Sequence, residues 1–339
     1  MGRIGSALVV GMRHGRIKIP AAEGEACYHC VTRTVNKEFL FDGPALEVLR
    51  QQVRRVADYC GIQVLTYALM SNHFHVLVRV PRQEPVSDEE LLRRFNVLYP
   101  KPTAYQSARL EVVRAELASN GPNAQAWRQR QLALMGDISP FMKLLKQRFS
   151  IWYNKSHQRI GTLWAERFKS TLIEGPGRAV ESMAAYLDLN SVRAGLVGDP
   201  KDYRFCGYAE AVAGNEVARA GIMAATGSSG WEEAQRQYRQ LLFGTGAGPR
   251  EGAATISGEE LERVMAQGGR LPLATVLRCR VRYFTDGAVL GSRVFVEQQL
   301  ASYRKKTGQL LRRSPQPLPP ATEWGDFTTL RALHRPGFG

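Results

Sequence analysis

The chain has 339 residues, 44% of them hydrophobic and 23% charged, which suits a globular protein with a sizeable core. Its 46 Lys and Arg against 31 Asp and Glu leave a formal charge of +15, which favours a polyanionic partner, nucleic acid above all. No apolar run approaches the roughly 18 residues of a membrane-spanning helix, and five cysteines, odd in number and irregularly spaced, point to a reducing cytoplasm.

In chain order, "EACYHCVTRTV" reads as a first strand. Cys27 and Cys30 form a C-x-x-C within it, but strand residues three apart face opposite sides. The two cannot chelate one ion and read as small core residues. Asp42 and Pro44 open a helix. Leu46, Leu49, Val53, Val56, Ala57 and Cys60 give it an apolar stripe, and Gly61 closes it. "IQVLTYAL" and "HFHVLVRV" are two strands joined by the turn-like "MSN", an antiparallel hairpin.

Residues 81–136 are polar and Arg-rich and read as a helical insertion, with Ser87 and Glu90 as a capping box. An amphipathic helix follows from Pro140, with Phe141, Leu144, Leu145, Phe149 and Trp152 on one stripe. "GTLWAERFKSTLIE" reads as a fourth strand and "GRAVESMAAYLDLNSVRAGLV" as a further helix. The order strand, helix, strand, strand, helix, strand predicts an α+β fold of ferredoxin-like βαββαβ type. Both crossover helices then lie on one face of the sheet, leaving the other face for a site. The domain reading is a catalytic unit over 1–215, a Gly/Ala-rich linker over 216–256, a semi-independent basic helical extension over 257–313 as a candidate for extra grip on DNA, and a Pro-rich tail over 314–339.

His73 and His75 stand out. On a strand they share a face, about 6–7 Å apart by the strand rise, which suits two imidazoles converging on one divalent ion. A bare H-x-H is also common as two locally hydrogen-bonded histidines. Its position in this fold order decides the reading. "MSNHFHVLV" here resembles the HUH motif of nucleases, relaxases and single-tyrosine transposases: His, a bulky hydrophobic residue, His. Such proteins carry a nucleophilic tyrosine on a helix. Tyr186, with Asn190 one turn later, is the candidate among 12 tyrosines. The plain alternative is a boundary tyrosine followed by a helix-end amide.

"MSNHFHVLV", "GTLWAERFKS" and "YLDLNSVRAGLV" together resemble successive blocks of the REP-associated tyrosine transposases, which are IS200-like. The resemblance spans roughly Glu25 to Tyr208. It implies that His73, His75 and Asn190 hold Mg2+ or Mn2+ and that Tyr186 attacks phosphorus to form a 5′-phosphotyrosine. The substrate it implies is single-stranded or hairpin DNA such as REP-type repeats, acted on at the bacterial nucleoid with no membrane partner. With one nucleophilic tyrosine per chain, two linked cuts need a second protomer, as in a homodimer, or a reset. Two other readings stay open: a DNA-binding protein whose catalysis has lapsed, and a metal-dependent phosphohydrolase with Tyr186 structural.

Further candidates are less sharp. Arg167 and Lys169, read onto one face of the fourth strand, are candidate phosphate contacts, with Arg193 and Lys146 beside them. A solvated basic edge explains them equally well. Trp152, Tyr153 and Trp164 suit either base stacking or core, and His29 either lines the site or is buried.

Overall fold

The computed structural model describes residues 16–101, 109–243, 273–278, 283–308, 314–318 and 326–331. Strand β1 (Ala26–Arg33) is buried along nearly its whole length. Tyr28 and Cys30 join one core and Cys27 the other, so the two cysteines face apart. Helix α1 (Gly43–Cys60) starts where Asp42 accepts from the Ala45 amide at 2.8 Å and stops at Gly61, whose φ of 63° is cheap only for glycine. Its apolar stripe is fully covered. Strands β2 (Gln63–Met70) and β3 (His73–Val80) form a hairpin across the two residues Ser71 and Asn72.

Helix α5 (Ile138–Ser156) leads towards β4 (Lys169–Ile173). The strands lie in the order β2-β3-β1-β4 with antiparallel neighbours throughout, which is the ferredoxin-like order. Helices α1 and α5 share one face, where Leu49, Val53, Phe141 and Phe149 pack on Tyr28, Phe74, Val76 and Val78. Between β3 and α5 lie α2 (Asp88–Leu98), α3 (Leu110–Ser119) and α4 (Pro122–Leu132). These three bury a small core of their own, Leu91, Leu92, Val113, Leu117, Ala124 and Trp127.

Four sequence expectations are corrected. The first is the fourth strand, which is short. Residues 161–168 lie outside it, with Trp164 bridged to Thr34, so Arg167 is not on a strand. Second, the face opposite α1 and α5 is not open. It carries α6 (Arg178–Asp188), α7 (Asn190–Arg193), α8 (Gly207–Val212), α9 (Glu216–Thr226) and α10 (Trp231–Phe243) over a second core.

Third, residues 216–243, expected as linker, are α9 and α10; 244–256 lie outside the described residues. The small residues that suggest a loop are what let α9 lie against β2. A Cβ at Gly221 would sit 2.5 Å from the Leu65 carbonyl oxygen. Asp188, fully buried, ties these layers together: it accepts from Thr66 Oγ1 at 2.9 Å and Tyr238 Oη at 2.6 Å.

Fourth, the C-terminal region is not semi-independent. Residues 257–272 lie outside the described residues. Beyond them come α11 (Leu273–Arg278), α12 (Tyr283–Asp286), β5 (Gly287–Ser292), α13 (Arg293–Thr307), β6 (Pro315–Pro317) and β7 (Phe327–Arg331). Strand β5 pairs parallel with β4, Leu172 beside Val289, and the sheet continues β5-β7-β6 to seven strands. Val289, Val296, Leu300 and Leu330 complete the first core; Leu277, Phe284 and Leu290 complete the second. A short apolar run between two helices, "GAVLGS", is thus a strand. Among the described residues no helix is long and apolar enough to cross a membrane.

Candidate catalytic site

His73 and His75 project from the start of β3 onto the face that carries α6. The ring centroids are 5.1 Å apart and nearly perpendicular. His73 is half-buried, and its Nδ1 is 2.6 Å from Asn72 Oδ1. Asn72 in turn donates its amide to the Lys37 carbonyl at 3.1 Å. His75 is 2% exposed and shares a 2.8 Å hydrogen bond, Nδ1 to Nε2, with His29 of β1. His29 is also buried, and its Nδ1–H donates to the Phe284 carbonyl at 2.8 Å.

Burial holds the His29 pKa down to about 4. His75 is pushed well below the usual histidine value, by burial first and then by His73, His29, Arg193 and Arg33. It is therefore neutral at neutral pH, the form in which an imidazole can ligate. Arg33 lies directly opposite His73 in the β1–β3 register, a neighbour that needs the strand pairing to be seen.

Tyr186 comes from α6 and is 3% exposed. Its ring stacks on Phe284, with centroids 4.6 Å apart, and the Arg193 guanidinium carbon lies 4.0 Å from its centroid. Arg193 also donates to the Tyr186 carbonyl at 2.7 Å and to the Leu277 carbonyl at 2.8 Å. Phe284 thus touches Tyr186 with its ring and His29 with its carbonyl. Sequence reading missed Phe284, because nothing in the local pattern around position 284 signals a partner so distant in the chain. Asn190 opens α7 one turn after Tyr186 and donates Nδ2 to the Leu187 carbonyl at 2.9 Å, which leaves Oδ1 as the acceptor atom of the amide.

The basic candidates divide. Arg193 belongs to the Tyr186 surroundings. Lys169 shares a register row with His75 across Val31, two strand spacings or about 10 Å away. It is exposed and 3.4 Å from Glu166. Lys146, on α5 at the other face, donates to the Glu166 carbonyl at 2.8 Å, and burial with Arg16 nearby lowers its pKa to about 8. The like charge of exposed Arg167 also lowers the Arg16 pKa, so Arg167 belongs with Arg16 and Lys146 in one basic group. Trp152, Tyr153 and Trp164 pack with Phe149 in an aromatic cluster of the first core.

Among the described residues no three His, Cys, Asp or Glu side chains converge as a cation site. By donor chemistry alone, His73, His75 and Asn190 would offer a divalent ion such as Mn2+ or Mg2+ two imidazole nitrogens and one amide oxygen. That set suits a borderline divalent cation and leaves positions for phosphate oxygens.

The His-x-His pair on β3, second from the sheet edge, and the Tyr186 helix thus lie on one face of a mixed α/β sheet. Residues 24–93, from just before β1 into α2, match the family model described as "Transposase IS200 like". The family whose motifs the sequence resembles is thus the one whose model matches this segment. No curated protein matches the chain. A solved structure described as "Structure of the REP associates tyrosine transposase bound to a REP hairpin" is 12% identical, covering 62% of this chain and 90% of that one, with a TM-score of 0.36. A likeness at that level sets no geometry for this chain.

Proposed function

We propose that this chain is a transposase of the single-tyrosine kind, a metal-dependent enzyme that nicks and rejoins single-stranded DNA beside hairpins such as REP-type repeats. The observation that carries the reading is the His73/His75 pair, inside the segment similar to IS200-like transposases and on the sheet face that also carries the Tyr186 helix.

His73, His75 and Asn190 would hold the cation. A bound Mg2+ or Mn2+ supplies Lewis-acid neutralisation of a non-bridging phosphate oxygen. Arg193 fixes the Tyr186 main chain and ring through its two carbonyl bonds and its place against the phenol. Arg33 and Lys169 add positive charge on the same face, where a phosphodiester would lie. Tyr186 Oη attacks phosphorus: a tyrosyl O–P bond forms, the P–O3′ bond breaks, and the proton lost by the phenol balances the one gained by the departing 3′ oxygen. The phosphotyrosine keeps the bond energy, so a 3′-hydroxyl can reverse the step without ATP. Two linked cuts in one event call for a second copy of the chain.

One observation favours the alternative of a DNA-binding protein with lapsed catalysis: Tyr186 is covered by Phe284. Covalent trapping separates the two readings. Full-length protein incubated with labelled hairpin-bearing single strands and Mn2+ is expected to give an adduct on a denaturing gel. Tyr186→Phe should give none while binding the same DNA with nearly unchanged affinity. An adduct from the Phe variant would remove Tyr186 as nucleophile, and no adduct from the wild type would leave the lapsed reading.

A further inference from the structure

His29 is a fully buried titratable side chain in the middle of β1, and the proposed function gives it no part as a cation ligand or nucleophile. It makes two hydrogen bonds, both at 2.8 Å, to the Phe284 carbonyl through Nδ1 and to His75 Nδ1 through Nε2. A peptide carbonyl can only accept, so the proton of His29 sits on Nδ1. A buried imidazole held between a carbonyl and another imidazole has no counter-charge, so it carries that one proton alone. Its Nε2 is then an acceptor, and the bond to His75 must be donated by His75 Nδ1–H. The lone pair of His75 is left on Nε2.

The neighbouring histidine obeys the same logic through different atoms. Asn72 donates its amide nitrogen to the Lys37 carbonyl, which leaves Oδ1 facing His73. Oδ1 only accepts, so His73 Nδ1 carries the proton and its lone pair is also on Nε2. Two independent relays, one from the β2–β3 turn and one from the C-terminal region, give both imidazoles the same tautomer.

We infer that His29 is a positioning residue that fixes His75 as its Nδ1–H tautomer, anchored by the main chain at Phe284. The segment Tyr283–Asp286 is then part of the site rather than an appendage. The ligating role of Nε2 rests on the proposed cation site; the tautomer itself does not. Partners of this type, one bond behind a metal ligand, commonly change metal affinity by about 10–100-fold.

The test is long-range 1H–15N NMR of metal-free full-length protein, with Mn2+ titration by calorimetry alongside. In the wild type His75 should show a protonated Nδ1 and an unprotonated Nε2. His29→Phe fills the same space but cannot accept, so the Nε2–H form of His75 should appear and Mn2+ should bind about 10–100-fold more weakly. His29→Gln can donate to the Phe284 carbonyl and accept from His75, so it should restore the tautomer and most of the affinity. If His29→Phe fails to fold, the wild-type tautomer and the Gln variant decide. A wild-type His75 protonated on Nε2, or a folded His29→Phe with unchanged tautomer, overturns the relay. Wild type with the expected tautomer but no Mn2+ binding upholds the relay and removes the cation reading instead.

Discussion

Residues 24–93 and the C-terminal residues 273–331 belong to the same sheet but could hardly be more different as sequence. The first region carries its chemistry in a local pattern: alternating strands, a capped helix and a His-x-His at a turn. The second has one long helix among short elements, a Pro-rich tail and no motif, yet it adds three strands and places Phe284 between Tyr186 and His29. Motif content and structural participation are separate properties. A segment without a signature can still complete the site that a signature announces.

The comparison breaks most visibly if the second region is removed. A chain ending at Phe243 would leave β4 as an open edge and strip Val289, Leu290, Val296 and Phe284 from the two cores. Exposed edge strands and apolar patches associate, so this truncation should aggregate or lose its cooperative thermal transition. A soluble, monomeric product with an unchanged unfolding midpoint would make the C-terminal region a separate unit after all.

The two histidines sharpen the comparison at smaller cost. His75→Ala leaves the acceptor of buried His29 unpaired, so it should destabilise by about 1–3 kcal/mol besides abolishing Mn2+ binding. His73→Ala, half-buried beside the turn, should abolish Mn2+ binding at roughly 0.5–1 kcal/mol. Equal denaturation midpoints for the two variants would remove the C-terminal contact from the energetics of His75.

The parts of this arrangement that could be read in advance are those encoded by neighbours in sequence. Asp42 and Gly61 mark the ends of α1, and the alternation in β3 puts His73 and His75 on one face. What could not be read depends on residues far apart meeting. The Gly and Ala of α9 look like a linker until Gly221 is seen against the β2 backbone. The run Gly287–Ser292 is too short and too weakly alternating to signal a strand until β4 supplies its partner. His29 could be read only as lining the site or buried. It is both, and the reason lies at Phe284.

Asp188 offers a pH test of the layer between the two regions. Burial raises its pKa from 3.8 to about 7, against the lowering effect of its bonds from Tyr238, Thr66 and the Tyr208 amide. The folded state therefore holds a proton that the unfolded chain releases near 3.8. Stability from this group is full below that value, falls as pH rises towards about 7, and is flat above. The change is of the order of a few kcal/mol. The thermal midpoint should drop across that window in the wild type. In Asp188→Asn, which cannot titrate, the drop should shrink even if the variant is less stable throughout. An identical pH slope in both would mean that Asp188 does not titrate there.

The smallest effect concerns the surface charges, and it separates the two basic groups. Lys169 lies on the row of His75, whereas Arg167 has no place in the strand register and acts on Arg16. Both are exposed, so alanine at either position should leave stability within about 0.5 kcal/mol. Only Lys169 is placed to meet a phosphate held at the histidines. Lys169→Ala should weaken single-strand binding a few-fold and lower the salt slope of log K by about 0.7, the share of one phosphate contact on single-stranded DNA. The nearby Glu166 carboxylate, 3.4 Å from the ammonium, competes for that charge, so Glu166→Gln should tighten binding by a similar small factor through the same contact. Arg167→Ala should change neither affinity nor slope for a strand short enough to occupy the histidine face alone. If Arg167→Ala has the larger effect on such a strand, the DNA path runs over the basic group of Arg16 and Lys146, and the histidine face is not where the phosphate binds.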